Sequence, residues 1–231
     1  MAKSEVKLLG AWPSPFVMRA RIALNIKAVE YEFVLETLEP KSPLLLQSNP
    51  VYKKIPVLIH ADKPICESLI IVQYIDEVWT SAPSILPSDP YDRAIQRFWA
   101  AYVDDKLFPT MRGLLTTQGE EARKAVLDQL AEGLALLEEA FGKCSKGKAF
   151  FGGDRIGLLD IAFGCMLGWL RATEKISGLK LLHEANTPGL LKWADTFCAD
   201  AAVKGVMPET EKLVEFSKVI VARMRGAHPP K

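Results

Sequence analysis

Residues 80–90 read Thr-Ser-Ala-Pro-Ser-Ile-Leu-Pro-Ser-Asp-Pro, three prolines with no apolar period, and the patterning on the two sides of this segment differs in kind. Before it, apolar residues fall into short runs with strand character; after it, they recur only at helical spacing. The chain therefore divides into an α/β unit over 1–80, a linker over 81–90 and an all-helical unit over 91–231. With 231 residues, 49% of them apolar, there is enough material to bury a sizeable core.

In the first unit, residues 5–10 read as a buried strand and 15–28 as a helix, with Ala20, Ala23, Leu24 and Ala28 near helical spacing. Residues 31–36 alternate as a second strand, which completes a βαβ unit. A polar loop over 39–43 leads to a short helix ending at Asn49-Pro50. Strands over 57–60 and 64–66 follow, then a helix over 68–79. The last two strands are joined by a turn of a few residues and must be antiparallel, so the sheet is mixed and has about four strands. Beyond the linker, helices are expected over 90–118, 121–142, 158–173, 187–200 and 209–224. Apolar stripes support two of them: Val126, Leu130, Leu134, Leu137 and Phe141, and Leu213, Phe216, Ile220 and Met224. Ahead of Phe163, Met166, Leu167 and Leu170, Gly157 reads as an N-cap with Asp160 at N3, and Ile156 with Ile161 as a hydrophobic staple. The last six residues, including Pro229 and Pro230, should be loose.

Charge and cysteine usage narrow the function. Lys and Arg (29) balance Asp and Glu (28), so no positive field invites nucleic acid. No secretory signal is evident, and no stretch approaches the roughly 20 apolar residues of a membrane span. Cys66, Cys144, Cys165 and Cys198 are widely spaced without a Cys-x-x-Cys and read as reduced cytosolic thiols, with no metal site. The three histidines, His60, His183 and His228, leave little for a His-based dyad. A small, locally recognised ligand is the better expectation.

Four pieces of the first unit place polar groups at loops or helix starts. The first is Trp12-Pro13-Ser14-Pro15-Phe16, where Ser14 reads as an N-cap with Pro15 at the first helical position. A hydroxyl, free N–H groups and the positive end of a helix meet there, an arrangement that favours an anion. The others are Lys41, the segment Lys53-Lys54-Ile55-Pro56-Val57 and the pair Glu67-Ser68. Each also has a plain structural reading: Ser14 and Ser68 as caps, the lysines as solvated surface, Pro56 as the start of a strand rather than a cis proline. Their combination is what points to a site.

In spacing and order these segments resemble the glutathione transferase family over essentially the whole chain. They are most similar to its plant tau class, through Trp12 to Phe16, Lys53 to Val57 and Ile65-Cys-Glu-Ser-Leu69. The resemblance implies a thioredoxin-like N-terminal domain with a mixed four-stranded sheet, an all-α C-terminal domain, a cytoplasmic homodimer and no metal or permanent cofactor. It implies that Ser14 hydrogen-bonds the glutathione thiolate and that Lys41 and Lys54 lie near the glycine carboxylate. Ile55, before a cis-Pro56, would pair with the cysteinyl backbone, and Glu67 and Ser68 would hold the γ-glutamyl end. The implied reaction is conjugation of glutathione, the co-substrate, to hydrophobic electrophiles in xenobiotic detoxification, with peroxidase activity toward organic hydroperoxides as a side activity. The apolar substrate would sit between the domains against Trp12, Phe16, Phe108, Met111, Leu115, Trp169 and Phe216.

The physics agrees with those roles. Lowering a thiol from a pKa of about 8.5 by roughly two units takes about 2.7 kcal/mol. A hydroxyl donating to a charged sulfur (roughly 1.5 to 3 kcal/mol) and a helix N-terminus (roughly 0.3 to 1) supply that without a protein base. Two other readings use the same fold. A thiol transferase or dehydroascorbate reductase needs Cys at position 14, since Ser cannot form the mixed disulfide. A non-enzymatic carrier of apolar ligands is disfavoured by intact Ser14, Glu67 and Ser68.

Overall fold

The computed structural model describes residues 5–37 and 39–226, with side chains through 221. The first half carries β1 (Val6–Gly10), α1 (Pro15–Ile26), β2 (Glu32–Leu35), α2 (Pro43–Ser48), β3 (Val57–His60), β4 (Lys63–Cys66) and α3 (Ser68–Val78). The four strands form one mixed sheet in the order β2-β1-β3-β4, with β1 and β2 parallel and the other pairs antiparallel. Ala61 and Asp62 turn β3 into β4, both at positive φ (48° and 62°), the twist that a two-residue hairpin requires. Alternation along β1 sends Leu8 to one face, with Val17, Met18 and Ile71 of α1 and α3 in its core, and Leu9 to the other, where α2 presents Leu45.

The second half is helical among the described residues: α4 (Pro90–Tyr102), α5 (Phe108–Thr116), α6 (Glu120–Ser145), α7 (Leu158–Gly164), α8 (Leu167–Ser177), α9 (Pro188–Ala199), α10 (Ala201–Lys204) and α11 (Thr210–Gly226). The hydrophobic core runs without interruption from α1 and α3 into α7 and α8. Between the halves, the carboxylate of Asp76 accepts from the backbone N–H of Ile85 and Leu86 and pairs with buried Lys27 at 2.8 Å, so the proline-rich segment is pinned to α3.

Several boundaries differ from expectation. The helix expected over 15–28 ends at Ile26, and Ala28 adopts φ 52°. The single helix expected over 90–118 widens into one π-helical turn at Val103–Leu107. Pro109 explains this: it has no N–H for the carbonyl one turn back and its ring crowds that carbonyl. The helix expected over 158–173 is broken after Gly164, where the Phe197 ring lies 2.4 Å from the place a Cβ would occupy. The four-residue helix α10 was not expected, and α6 runs on to Ser145. Leu130, Leu134 and Leu137 are buried as their stripe requires; the side chain of Met224 and residues 227–231 lie outside the described residues.

Candidate active site

The Trp12–Phe16 turn begins where β1 comes too close to α1 for any side chain: a Cβ on Gly10 would meet Val17 at 2.5 Å. The chain then turns through a Ser14 N–H bond to the Ala11 carbonyl (3.2 Å), and Ser14 caps α1 by accepting from the Val17 N–H at 3.3 Å. Capping uses the oxygen as acceptor and leaves the hydroxyl proton free to be donated. The turn is fixed from the helical half, since the Trp169 indole donates to the Pro13 carbonyl at 2.8 Å.

The second piece is held by a residue that the sequence showed only as a helix end. Asn49, nearly fully buried, accepts from the Tyr52 N–H (3.1 Å) and donates to the Lys54 carbonyl (2.9 Å). This ties down the loop that delivers Ile55, and the Ile55–Pro56 peptide is cis. Lys41 and Lys54 are exposed and, among the described residues, form no ion pair. Ser42 beside Lys41 caps α2 and donates to Glu36 (2.8 Å).

At the third piece the expected roles are exchanged: Glu67 occupies the cap position of α3, without a side-chain cap bond, and Ser68 is the first helical residue. The cause is the backbone of Glu67, at φ 69° and ψ 117°, a conformation that non-glycine residues seldom adopt and that clusters at functional sites. The Ser68 hydroxyl is buried and accepts from Arg19 at 3.1 Å, which leaves its own proton to donate. Arg19 is fully buried, donates to both carboxylate oxygens of Asp104 and to the Ala162 carbonyl, and lies against the Phe16 ring. Nothing in the local sequence distinguishes Arg19 from a surface residue of α1; its partners are 49, 85 and 143 positions away. Burial and the Glu67 charge push the neighbouring Cys66 thiol up, which keeps it protonated and poor as a nucleophile.

Ser14 and Ile55 open onto a cavity of about 240 Å³ between the two halves. Phe16, Phe108, Met111, Leu115, Trp169 and Phe216 line it; Trp12 does not. Trp12 stands 40% exposed, in edge contact with the lining residue Phe216 at 5.5 Å. The cavity also has members not expected from sequence, among them Arg112, Thr116, Thr173 and Ser217. Arg112 and Thr116 follow Phe108 at four-residue steps on α5, a spacing that could have found them, but polar residues on a helix read as its solvent face.

Lys41, Lys54, Glu67 and Ser14 thus belong to loops and helix starts of the sheet-bearing half, with an apolar cavity beside the hydroxyl. This combination suits a ligand that carries charge along its length and a reactive anion at Ser14, next to an apolar partner. The arrangement is shared. The family pattern described as glutathione S-transferase, N-terminal domain, matches residues 4–77, and the corresponding C-terminal domain pattern matches 120–196. Glutathione S-transferase U17 of Arabidopsis thaliana is 66% identical over 95% of this chain and 97% of its own length. A tau class glutathione S-transferase from mango superposes with a TM-score of 0.92 at 71% identity, over 95% of this chain and all of that one. Rice GST1, solved in complex with glutathione, superposes at 0.87 with 39% identity, over 94% and 98%.

Proposed function

The chain belongs to the glutathione S-transferase family and works as a glutathione transferase with glutathione as co-substrate, and from that premise we propose how its residues divide the reaction. Ser14 donates its free hydroxyl proton to the glutathione sulfur. The thiolate so stabilised attacks an electrophilic carbon of an apolar substrate in the adjoining cavity, and the thiol proton leaves to solvent. Ser68, Glu67 and the N–H groups at the start of α3 hold the γ-glutamyl end, Ile55 pairs with the cysteinyl backbone, and Lys41 and Lys54 face the glycine carboxylate. The observation that carries this reading is the Ser14 hydroxyl at a helix start, its proton without an acceptor among the described residues and an apolar cavity against it. Hydrophobic electrophiles follow from the lining, and xenobiotic detoxification with a peroxidase side activity follows from the family.

The division into 1–80, 81–90 and 91–231 assigns glutathione to the first part and the apolar substrate chiefly to the last. We propose a homodimer in the cytoplasm. Ile70 on α3 and Phe98 on α4 are large exposed apolar residues on neighbouring helices, joined by the Arg97–Gln73 hydrogen bond of 2.8 Å, and they give a second copy a face to cover. None of the described helices is long and apolar enough to cross a membrane.

The test is conjugation of glutathione to an activated aryl halide. Ser14→Ala should lose most turnover while glutathione affinity stays within about tenfold, a loss confined to charge stabilisation; unchanged turnover would remove Ser14 from its role. Sedimentation at the 25.6 kDa chain mass would contradict the dimer.

A further inference from the structure

Among the described residues that line the cavity beside Ser14, one is charged: Arg112, with no Asp or Glu in the wall to neutralise it. Arg112 is exposed and, among the described residues, takes part in no hydrogen bond or ion pair; its guanidinium rests over the Phe108 ring at 5.9 Å from the centroid. Phe108 in turn makes edge contact with Phe16 at 5.3 Å, so two ring contacts lead from the guanidinium to the helix that Ser14 caps. Thr116, one turn along α5, lies on the same exposed side with its hydroxyl proton donated to the Gly113 carbonyl at 3.2 Å, which leaves Arg112 as the anion-facing group, while Met111 is buried on the inner side.

We infer that Arg112 selects acceptor substrates that carry an anionic group, a carboxylate in the simplest case, at the far end of an apolar body from the electrophilic carbon. This rests on the proposed reading of Ser14. A thiolate at Ser14 repels an approaching anion, so a wall with no cation would discriminate against anionic acceptors. A guanidinium offers a carboxylate a planar fork of donors. Its stacking on Phe108 holds that fork at the rim with less rotational freedom to lose on binding. The reacting end and the anionic end are then kept apart by the apolar lining between Phe16 and Phe108.

Two probes separate charge from chemistry: chlorodinitrobenzene, and the chlorodinitrobenzoate that bears a carboxylate para to the chlorine. In both, the glutathione sulfur bonds to the ring carbon bearing chlorine and chloride leaves with the bonding pair; the carboxylate is unchanged. Arg112→Gln should lower kcat/KM for the benzoate, through KM, by about tenfold more than it lowers that for the neutral probe, the scale of a charge-assisted hydrogen bond. Arg112→Lys should restore part of the loss. The benzoate preference of the unaltered enzyme should decline with added salt, and that of Arg112→Gln should not. An equal effect on both probes, or none on either, overturns the inference while leaving the Ser14 reading intact. If the unaltered enzyme turns over neither probe, the Ser14 reading fails and the inference falls with it. Arg112 is on the surface, so an unchanged melting temperature shows that the variants fold.

Discussion

Arg19 on α1 grips Asp104 with both terminal nitrogens, at 2.8 and 2.6 Å, from a position with no solvent exposure of its own. The pair joins the sheet-bearing half to the π-helical turn before α5, and the Arg19 nitrogen at 2.8 Å from Asp104 also reaches Ser68. Asp104 therefore stabilises the fold and, through Arg19, orients a hydroxyl of the proposed γ-glutamyl site.

Asp104→Ala leaves the Arg19 charge buried without its carboxylate, which should cost about 3 to 5 kcal/mol of unfolding free energy in urea. It should also raise KM for glutathione more than it lowers kcat. Loss of stability with unaltered KM would confine Asp104 to the fold.

Asp160 gives a pH dependence. Its carboxylate is fully buried and accepts from the N–H groups of Phe151, Gly152 and Gly157 and from the Trp193 indole, at 2.7 to 2.8 Å. Burial pushes it up to about 6 against the pull of those donors. The folded state thus holds a proton that the unfolded chain has released, and the associated stability is fully present below the ordinary carboxylate value and lost as pH rises through about 6. Measured as unfolding free energy, the advantage of the native protein over Asp160→Asn should shrink between about pH 4 and 7 by up to roughly 3 kcal/mol. An advantage that grows with pH would reverse the assignment.

Ser14→Cys should gain thiol transferase activity, read by coupling glutathione disulfide formation to its reductase. A cysteine at a helix start is biased toward thiolate and can form the mixed disulfide that serine cannot. Absence of any gain would mean that position 14 does not choose between the two chemistries.

Much of this was legible in the chain because it was encoded locally. The mixed sheet follows from a two-residue hairpin and a βαβ pattern, and the cap at Ser14 from a serine before a proline. Ser68 reads from sequence as the cap of α3 but is its first helical residue, since the positive φ that puts Glu67 at the cap position leaves no mark in a Glu-Ser pair. Arg19 and Asp104 were missed because each is defined by a partner 85 positions away that only the fold supplies, and Asn49 because an Asn before Pro reads as a helix end whether or not its side chain is buried. Arg112 was hidden differently, as a charged residue on an amphipathic helix whose outer edge is also the rim of a cavity.

The central claim is that the Ser14 hydroxyl stabilises a thiolate that belongs to the ligand. Its most direct test is an ultraviolet titration of the glutathione thiol bound to the native protein and to Ser14→Ala. The account predicts a bound thiol roughly two pKa units below its free value in the native protein, with most of that shift lost in Ser14→Ala while binding stays within about tenfold. The same lowered value in both proteins would contradict it.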